Sequence, residues 1–122
     1  MLLSSMTQFD ATINANAHVL RRQRDRQRHS LEQFEGGGSP RVVVLEGDEL
    51  IIGRGPDAQI SLTSQRVSHH HAFLRVRGTD CMLFDNDSQN GVLLNGVKVY
   101  SAVLRDGDVI QIADSAFIYS VG

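Results

Sequence analysis

The chain has 122 residues, of which 41% are hydrophobic and 21% are charged, and its formal net charge is -2 at pH 7. These values are typical of a globular protein with one domain. No stretch of the sequence approaches the roughly 18 consecutive apolar residues that a membrane span needs, and the N-terminus lacks the pattern of a secretory signal. Residues 41–122 hold seven Lys and Arg against ten Asp and Glu, a net charge of -3, which disfavours nucleic acid as a partner.

Residues 1–35 are predicted to form a helical or disordered extension, because they contain no Pro or Gly. Apolar residues recur there with a spacing of seven, but the second series of the heptad is only half apolar. Two interpretations stay open. One is a marginal helix or disordered tail that orders on contact, and the other is a helix that forms a homodimer. The first series comprises Met6, Ile13, Leu20, the polar Gln27 and Phe34, and the second comprises Asp10, Ala17, Arg24 and Leu31.

Residues 36–40, with the sequence GGGSP, are predicted to be a flexible linker. Three glycines cannot hold a helix, and Pro40 would block its continuation. The linker would separate the extension from a domain that spans residues 41–122.

From Arg41 onwards the chain consists of short runs of Val, Ile, Leu and Phe that are separated by Gly, Asp and Asn. This pattern predicts an all-β sandwich or barrel. The alternation in residues 71–77 places Ala72, Leu74 and Val76 on one face of a strand. Cys81 has no intramolecular partner and is predicted to be a buried core residue in a reducing compartment, which favours a cytoplasmic location.

Three polar loops are expected to carry the function, because a sandwich of short strands places its functional groups in the loops at one end. Together the loops offer a guanidinium, hydroxyls, amides and backbone N–H groups near glycines, and this set suits an anion with several oxygens. They are residues 53–57 (GRGPD), residues 63–71 (TSQRVSHHH) and residues 85–91 (DNDSQNG).

Enzyme and metal chemistry fit these loops less well, and we expect no cofactor. Ser68 and a neighbouring histidine could form a nucleophile–base pair, but no GxSxG-type elbow surrounds the serine. Three consecutive histidines lack the separated spacing of structural zinc sites, and the glycines at 53 and 55 are not part of a P-loop.

Four short motifs resemble, in their order and spacing, the signature of the forkhead-associated (FHA) domain. The resemblance covers about residues 41–122 and implies a sandwich of two largely antiparallel sheets. It also implies a non-enzymatic module that binds phosphothreonine peptides at the loops of one end. The motifs are Gly53-Arg54, Ser68-x-x-His71-Ala72, Ser88-x-Asn90-Gly91 and Asn95-Gly96.

The resemblance implies a role for each matched residue. Arg54 would pair with the phosphate, Ser68 would donate its hydroxyl hydrogen bond to it, and Asn90 would bond the peptide backbone. Gly53 and His71 would brace the loops. The matched positions with a structural role are Gly53, His71, Gly91, Asn95 and Gly96.

Two positions depart from the pattern of the family. His69 stands where Arg or Asn is common, and Gln89 stands where Thr is common. Both side chains can donate to phosphate, and histidine does so better when it is protonated, so we predict weaker and more pH-sensitive peptide binding. Arg66 is a further candidate donor. The departures also leave an alternative open, a phosphate-independent scaffold or oligomerisation module that uses the same fold and the N-terminal helix.

Thr7 is a possible phosphorylation site, because Asp10 follows it by three residues, a position at which family members often discriminate. Through a flexible GGGSP hinge, a phosphorylated Thr7 could reach its own pocket or that of a neighbour. Thr7 could also be an ordinary tail residue. The partners expected from the resemblance are a phosphothreonine-containing protein, or this tail, and an upstream Ser/Thr kinase.

Overall fold

The computed structural model describes residues 28–36 and 40–122. These residues form eleven strands and no helix, which confirms the predicted all-β fold. The strands are β1 (His29–Glu35), β2 (Arg41–Val44), β3 (Glu49–Gly53), β4 (Ile60–Ser61), β5 (Ala72–Arg77), β6 (Asp80–Asp85), β7 (Leu93–Leu94), β8 (Val97–Lys98), β9 (Ser101–Val103), β10 (Val109–Ile112) and β11 (Ser115–Val121).

The strands form two sheets, as the resemblance implies. The six-stranded sheet has the order β2-β1-β11-β10-β7-β8, and the five-stranded sheet has the order β4-β3-β5-β6-β9. Strand pairs in both sheets are antiparallel except for β3 and β4, which run parallel from Ile52↔Ile60 to Gly53↔Ser61. Within the described ranges, no helix is long and apolar enough to cross a membrane.

The core lies between the two sheets and follows the alternation of the strands. Ala72, Leu74 and Val76 of β5 are buried, as predicted, while Arg75 and Arg77 on the other face are exposed. Cys81 is also buried, and this burial raises the pKa of its thiol to about 12. The predicted core position of the cysteine is therefore confirmed.

The N-terminal prediction is wrong for residues 29–35, which form a central strand rather than a helix. β1 pairs with β11 from His29↔Val121 to Glu35↔Ala116, and with β2 on its other side. Alternate side chains face the core, and Leu31 is fully buried whereas Phe34 is 43% exposed. These two residues, which the spacing of seven had placed near one seam, lie on opposite faces. Pairing with two neighbouring strands outweighs a weak local preference for helix.

The segment GGGSP consequently connects two paired strands of one sheet. It does not join a separate extension to the sandwich, because the sandwich begins at β1, before the predicted boundary at Arg41. The rest of the predicted extension, residues 1–27 with Thr7, lies outside the described residues, as do residues 37–39.

A buried polar pair anchors β1 at the end of the sandwich near Gly78. The Nε2–H of His29 donates to the carbonyl of Gly78 at 2.9 Å, so its Nδ1 accepts from the Tyr119 hydroxyl. Both rings are almost inaccessible, and each polar atom has a partner. β1 therefore begins at the end of the sandwich that carries the β5–β6 turn, and it finishes at Glu35, at the opposite end.

Candidate functional site

The first two polar loops are joined through their backbones at the end of the sandwich where β3 finishes. The N–H of Arg54 donates to the carbonyl of Ser68 at 3.0 Å, and the N–H of Gly55 donates to the carbonyl of His69 at 3.1 Å. Gly53 makes this approach possible, since a Cβ there would lie 2.0 Å from the His69 carbonyl oxygen. Any side chain at position 53 would push the loops apart.

Arg54 lies along the β4–β5 loop, beside Ser68. Its Nε–H donates to the carbonyl of Val67 at 3.0 Å, and the side chain is half-buried. None of the carboxylates within residues 28–36 and 40–122 forms an ion pair with it. Its positive charge is therefore held in place by a carbonyl and is not neutralised by a described acid.

His71 joins the second loop to the third. The ring is fully buried, its Nδ1 accepts from the N–H of Ser68 at 3.0 Å, and its Nε2–H donates to the carbonyl of Gly91 at 2.8 Å. A carbonyl can only accept, so these partners assign the proton to Nε2. One ring thereby fixes the distance between the backbones of the two loops.

The third loop, between β6 and β7, brings Gln89 and Asn90 beside Ser68. The backbone N–H of Gln89 points at the Ser68 hydroxyl oxygen at 3.4 Å. The Asn90 Nδ2 donates to the carbonyl of Arg66 at 2.7 Å. Both contacts cross from one loop to another, so Arg54, Ser68, Gln89 and Asn90 form one cluster.

The loop itself is closed by local hydrogen bonds. Ser88 receives a bond from the N–H of Gly91 at 3.0 Å, and its own N–H donates to the Asp85 carboxylate at 3.0 Å. Gly91 has a φ of +80°, which glycine adopts at little cost.

The three consecutive histidines occupy three different environments. The side chain of His69 is exposed at the rim of the cluster, and His71 is the buried brace. His70 binds the Asp57 carboxylate through Nε2 at 2.8 Å, and this hydrogen bond is the main reason why the pKa of Asp57 is lowered. The ring nitrogens of His70 and His71 are thus directed to separate partners.

The ion pairs Asp57–His70 and Arg66–Asp114 were not found by sequence reasoning. Arg66 Nη1 lies 2.7 Å from Asp114 Oδ1, in the turn between β10 and β11. No local pattern could indicate this pair, because its residues are 48 positions apart in sequence. The structure places the Arg66 guanidinium on this acid, whereas its backbone carbonyl binds Asn90.

Asn95 and Gly96 lie away from the cluster. They form the two-residue turn between β7 and β8 with φ values of +51° and +85°, as in a type I′ turn. The Asn95 side chain bonds Asp108 and the N–H of Val109 at the start of β10. Because β10 runs from here towards Asp114 and Arg66, this turn is at the opposite end of the sandwich.

The family model that matches the chain is that of the FHA domain, and the match covers residues 50–113. The chain belongs to the FHA family. This FHA domain is 41% identical over 81 residues to FhaA, an FHA domain-containing protein of Mycobacterium tuberculosis. The matched region covers 66% of this chain and 15% of that protein. It is 42% identical over 84 residues to the transcriptional regulatory protein EmbR of the same organism, over 68% of this chain and 22% of that protein. The chain thus spans less than a quarter of these two relatives.

Solved structures of FHA domains share this fold. The FhaA FHA domain in complex with the intracellular domain of Rv3910 superposes with a TM-score of 0.68 at 38% identity, covering 74% of this chain and 99% of that one. EmbR of Mycobacterium tuberculosis in complex with a low-affinity phosphopeptide superposes with a TM-score of 0.72 at 29% identity, covering 89% of this chain and 29% of that one.

Proposed function

We propose that this FHA domain binds phosphothreonine peptides at the cluster formed by the three loops. Arg54 pairs with the phosphate, Ser68 donates its hydroxyl to it, and His69 and Gln89 contribute at the rim. The observation that carries the proposal is the bond from the Arg54 Nε–H to the carbonyl of Val67, which holds beside Ser68 a guanidinium that has no ion pair within the described residues.

The charge of the ligand accounts for the expected selectivity. A phosphothreonine carries roughly -1.5 to -2 charges and three acceptor oxygens, and a hydrogen bond that involves a charged group contributes roughly 1.5–3 kcal/mol. Two or three such bonds correspond to a preference of about a hundredfold or more over the unphosphorylated peptide, since about 1.4 kcal/mol is a factor of ten. The net charge of -3 on residues 41–122 opposes this weakly, because distant charges are screened by salt.

Asn90 is suited to hold the backbone of the peptide. Its Nδ2 is already bound to the carbonyl of Arg66, which orients the amide and leaves Oδ1 to accept an N–H from an extended peptide. Such a contact does not read the side chains of the ligand. The bracing roles proposed for Gly53, His71 and Gly91 rest on the loop contacts described above.

His69 and Gln89 make the proposed site weaker than one with the usual residues, and His69 makes it pH-sensitive. We expect the ratio of the wild-type affinity to the His69→Asn affinity to rise as the pH falls from 8 to 5.5. The comparison with the variant isolates the contribution of His69, because the ionisation of the phosphate near pH 6 affects both proteins equally. Identical profiles for the two proteins would remove His69 from the phosphate.

The relatives support a role in the recruitment of phosphorylated proteins. EmbR has been captured with a phosphopeptide, and the FhaA domain with the intracellular domain of another protein. We infer that this chain recruits a phosphothreonine-containing partner after the action of a Ser/Thr kinase, and that it does so without enzymatic activity. The cytoplasmic location stays a prediction.

Phosphorylated Thr7 is a candidate ligand within the same chain, with a tether that differs from the predicted hinge. Thr7 precedes Arg28 by 21 residues, which span at most about 70 Å when fully extended. The sandwich is far shorter, since the seven residues of β1 rise about 23 Å. Mass spectrometry after kinase treatment, followed by light scattering, tests this. Phosphorylation of Thr7 that leaves the pocket open and the size unchanged would exclude both self-binding and dimerisation.

Arg54→Ala separates the proposed function from a phosphate-independent scaffold. The variant is expected to lose phosphopeptide binding in calorimetry while keeping any scaffold assembly. Arg54→Lys is the matched control, because it keeps the charge but loses the forked donor, and we expect an intermediate affinity. Undiminished phosphopeptide binding by Arg54→Ala would reject the proposed site.

A further inference from the structure

A second cation, Lys98, lies beside Gly91, the residue that follows Asn90. Lys98 is in β8, whose register pairs it with Leu93, two residues beyond Gly91. Its stem consequently crosses the backbone of Gly91, where a Cβ would lie 3.1 Å from Lys98 Cε and 3.6 Å from Nζ. The ammonium is therefore placed directly beside the residue that follows Asn90.

Tyr100 supports this position from the other side. The Nζ of Lys98 lies 5.7 Å from the centroid of the Tyr100 ring, within the range of a cation–π interaction. The ring itself is 73% exposed, so the pair is open to solvent and to a ligand. Tyr100 lies at the bend that follows β8, two residues after Lys98.

No acid of residues 28–36 and 40–122 neutralises Lys98, whose ammonium forms none of the ion pairs found there. This contrasts with Arg66 and Arg75, which pair with Asp114 and Glu49. Among the residues that the structure describes, Lys98 thus has no acidic partner at the edge of the candidate site.

We propose that Lys98, supported by Tyr100, forms a subsite for an anionic side chain of the bound phosphopeptide. This inference rests on the proposed function, which places the phosphate at Arg54 and the peptide backbone at Asn90. Gln89, Asn90 and Gly91 follow one another from Ser68 to Lys98. An extended peptide, which rises about 3.3 Å per residue, needs only a few residues to pass from the phosphate to the ammonium. The subsite selects targets with an acidic residue within about four positions of the phosphothreonine.

The size of the effect follows from the exposure of Lys98. Solvent-exposed ion pairs typically change an affinity by about two- to fivefold, and the gain decreases as salt is raised. The subsite therefore adjusts the choice among phosphorylated targets, and the phosphate remains the main determinant of binding.

A peptide scan tests the subsite. A phosphothreonine peptide with neutral flanks receives one Asp in place of Asn at each of the four positions on either side, and its affinity is measured by calorimetry. We expect a gain of about two- to fivefold at one position or two nearby positions. The gain from Asp should vanish in Lys98→Gln, persist in Lys98→Arg, and turn into a loss of affinity in Lys98→Glu. A phosphoserine at the best position distinguishes a second phosphate from a carboxylate as the stronger ligand.

The control variant is Arg77→Gln, which removes an exposed positive charge at the end of β5 next to Gly78. It should keep the Asp preference and so exclude an effect of net charge. An equal Asp preference in wild type and Lys98→Gln, or none at any position, overturns the subsite while leaving the proposed function intact if the neutral phosphopeptide binds. Failure of every phosphopeptide to bind overturns both the subsite and the proposed function. The titration with the neutral phosphopeptide is enough to reveal this outcome.

Discussion

Replacement of His71 by Ala tests the brace that holds the candidate site together. The variant removes the partners of two backbone groups, the N–H of Ser68 and the carbonyl of Gly91, in a position where the ring is fully buried. Each polar group left without a partner costs about 1–3 kcal/mol. The two together therefore cost about 2–6 kcal/mol, a large part of the roughly 5–15 kcal/mol that stabilises a domain.

Urea denaturation followed by circular dichroism measures this change, and the neighbouring histidines supply the controls. His69→Ala and His70→Ala alter exposed side chains and should change the free energy of unfolding by at most about 1 kcal/mol. The melting temperature of His71→Ala should fall by at least about 8 °C. Nitrogen NMR of the native protein should show the proton of His71 on Nε2. Stability equal to that of His69→Ala, or a proton on Nδ1, would refute the bracing geometry.

Three further predictions address other parts of the structure. Gly53→Ala should destabilise the domain by about 2–4 kcal/mol through overpacking and weakened loop bonds, and it should also reduce phosphopeptide affinity. The control Gly78→Ala should affect stability alone, because position 78 has open space but a φ of +58°. Unaltered peptide binding by folded Gly53→Ala would contradict the loop packing. Cys81 should react with a thiol reagent only on unfolding, because the group is buried and its pKa is raised to about 12, and rapid labelling of the native protein at pH 8 would show that the core is open. The pKa of Asp57 is lowered from 3.8 by His70, so this ion pair contributes to stability above pH 3.8, and the contribution is lost as the pH falls through the lowered pKa. Carboxyl NMR should find the titration midpoint of Asp57 below 3.8 in the wild type and closer to 3.8 in His70→Ala. Equal midpoints in the two proteins would exclude the pair.

The part of the fold that could be predicted from sequence is the part where local signals agree. In β5 the alternation of apolar and polar residues and the glycine that follows at 78 both indicate one strand, and the structure has that strand. Asn95-Gly96 similarly predicts its turn, because both residues adopt a positive φ easily.

β1 was missed because its residues carry conflicting local signals. HSLEQFE has apolar residues at positions 31 and 34, a spacing of three that is compatible with a helix. The strand is determined by pairing with β11, whose residues lie about 90 positions later, and by the buried contact between His29 and Tyr119. Pairing with such distant residues produces no periodic pattern in the sequence around β1.

The motifs of the candidate site were visible in the sequence, but its supporting contacts were not. The spacing of Arg54, Ser68 and Asn90 indicated the family, whereas the bonds from Arg54 to Val67 and from Asn90 to Arg66 depend on how three loops pack. The same holds for Lys98, whose position over Gly91 follows from the register of a short hairpin.

Calorimetric titration of the wild-type protein with a library-selected phosphothreonine peptide and its unphosphorylated twin tests the central claim most directly. The donors of Arg54 and Ser68 predict an affinity about a hundredfold or more higher for the phosphorylated form. Equal affinity for the two peptides, or a library that yields no phosphothreonine ligand, would contradict the claim.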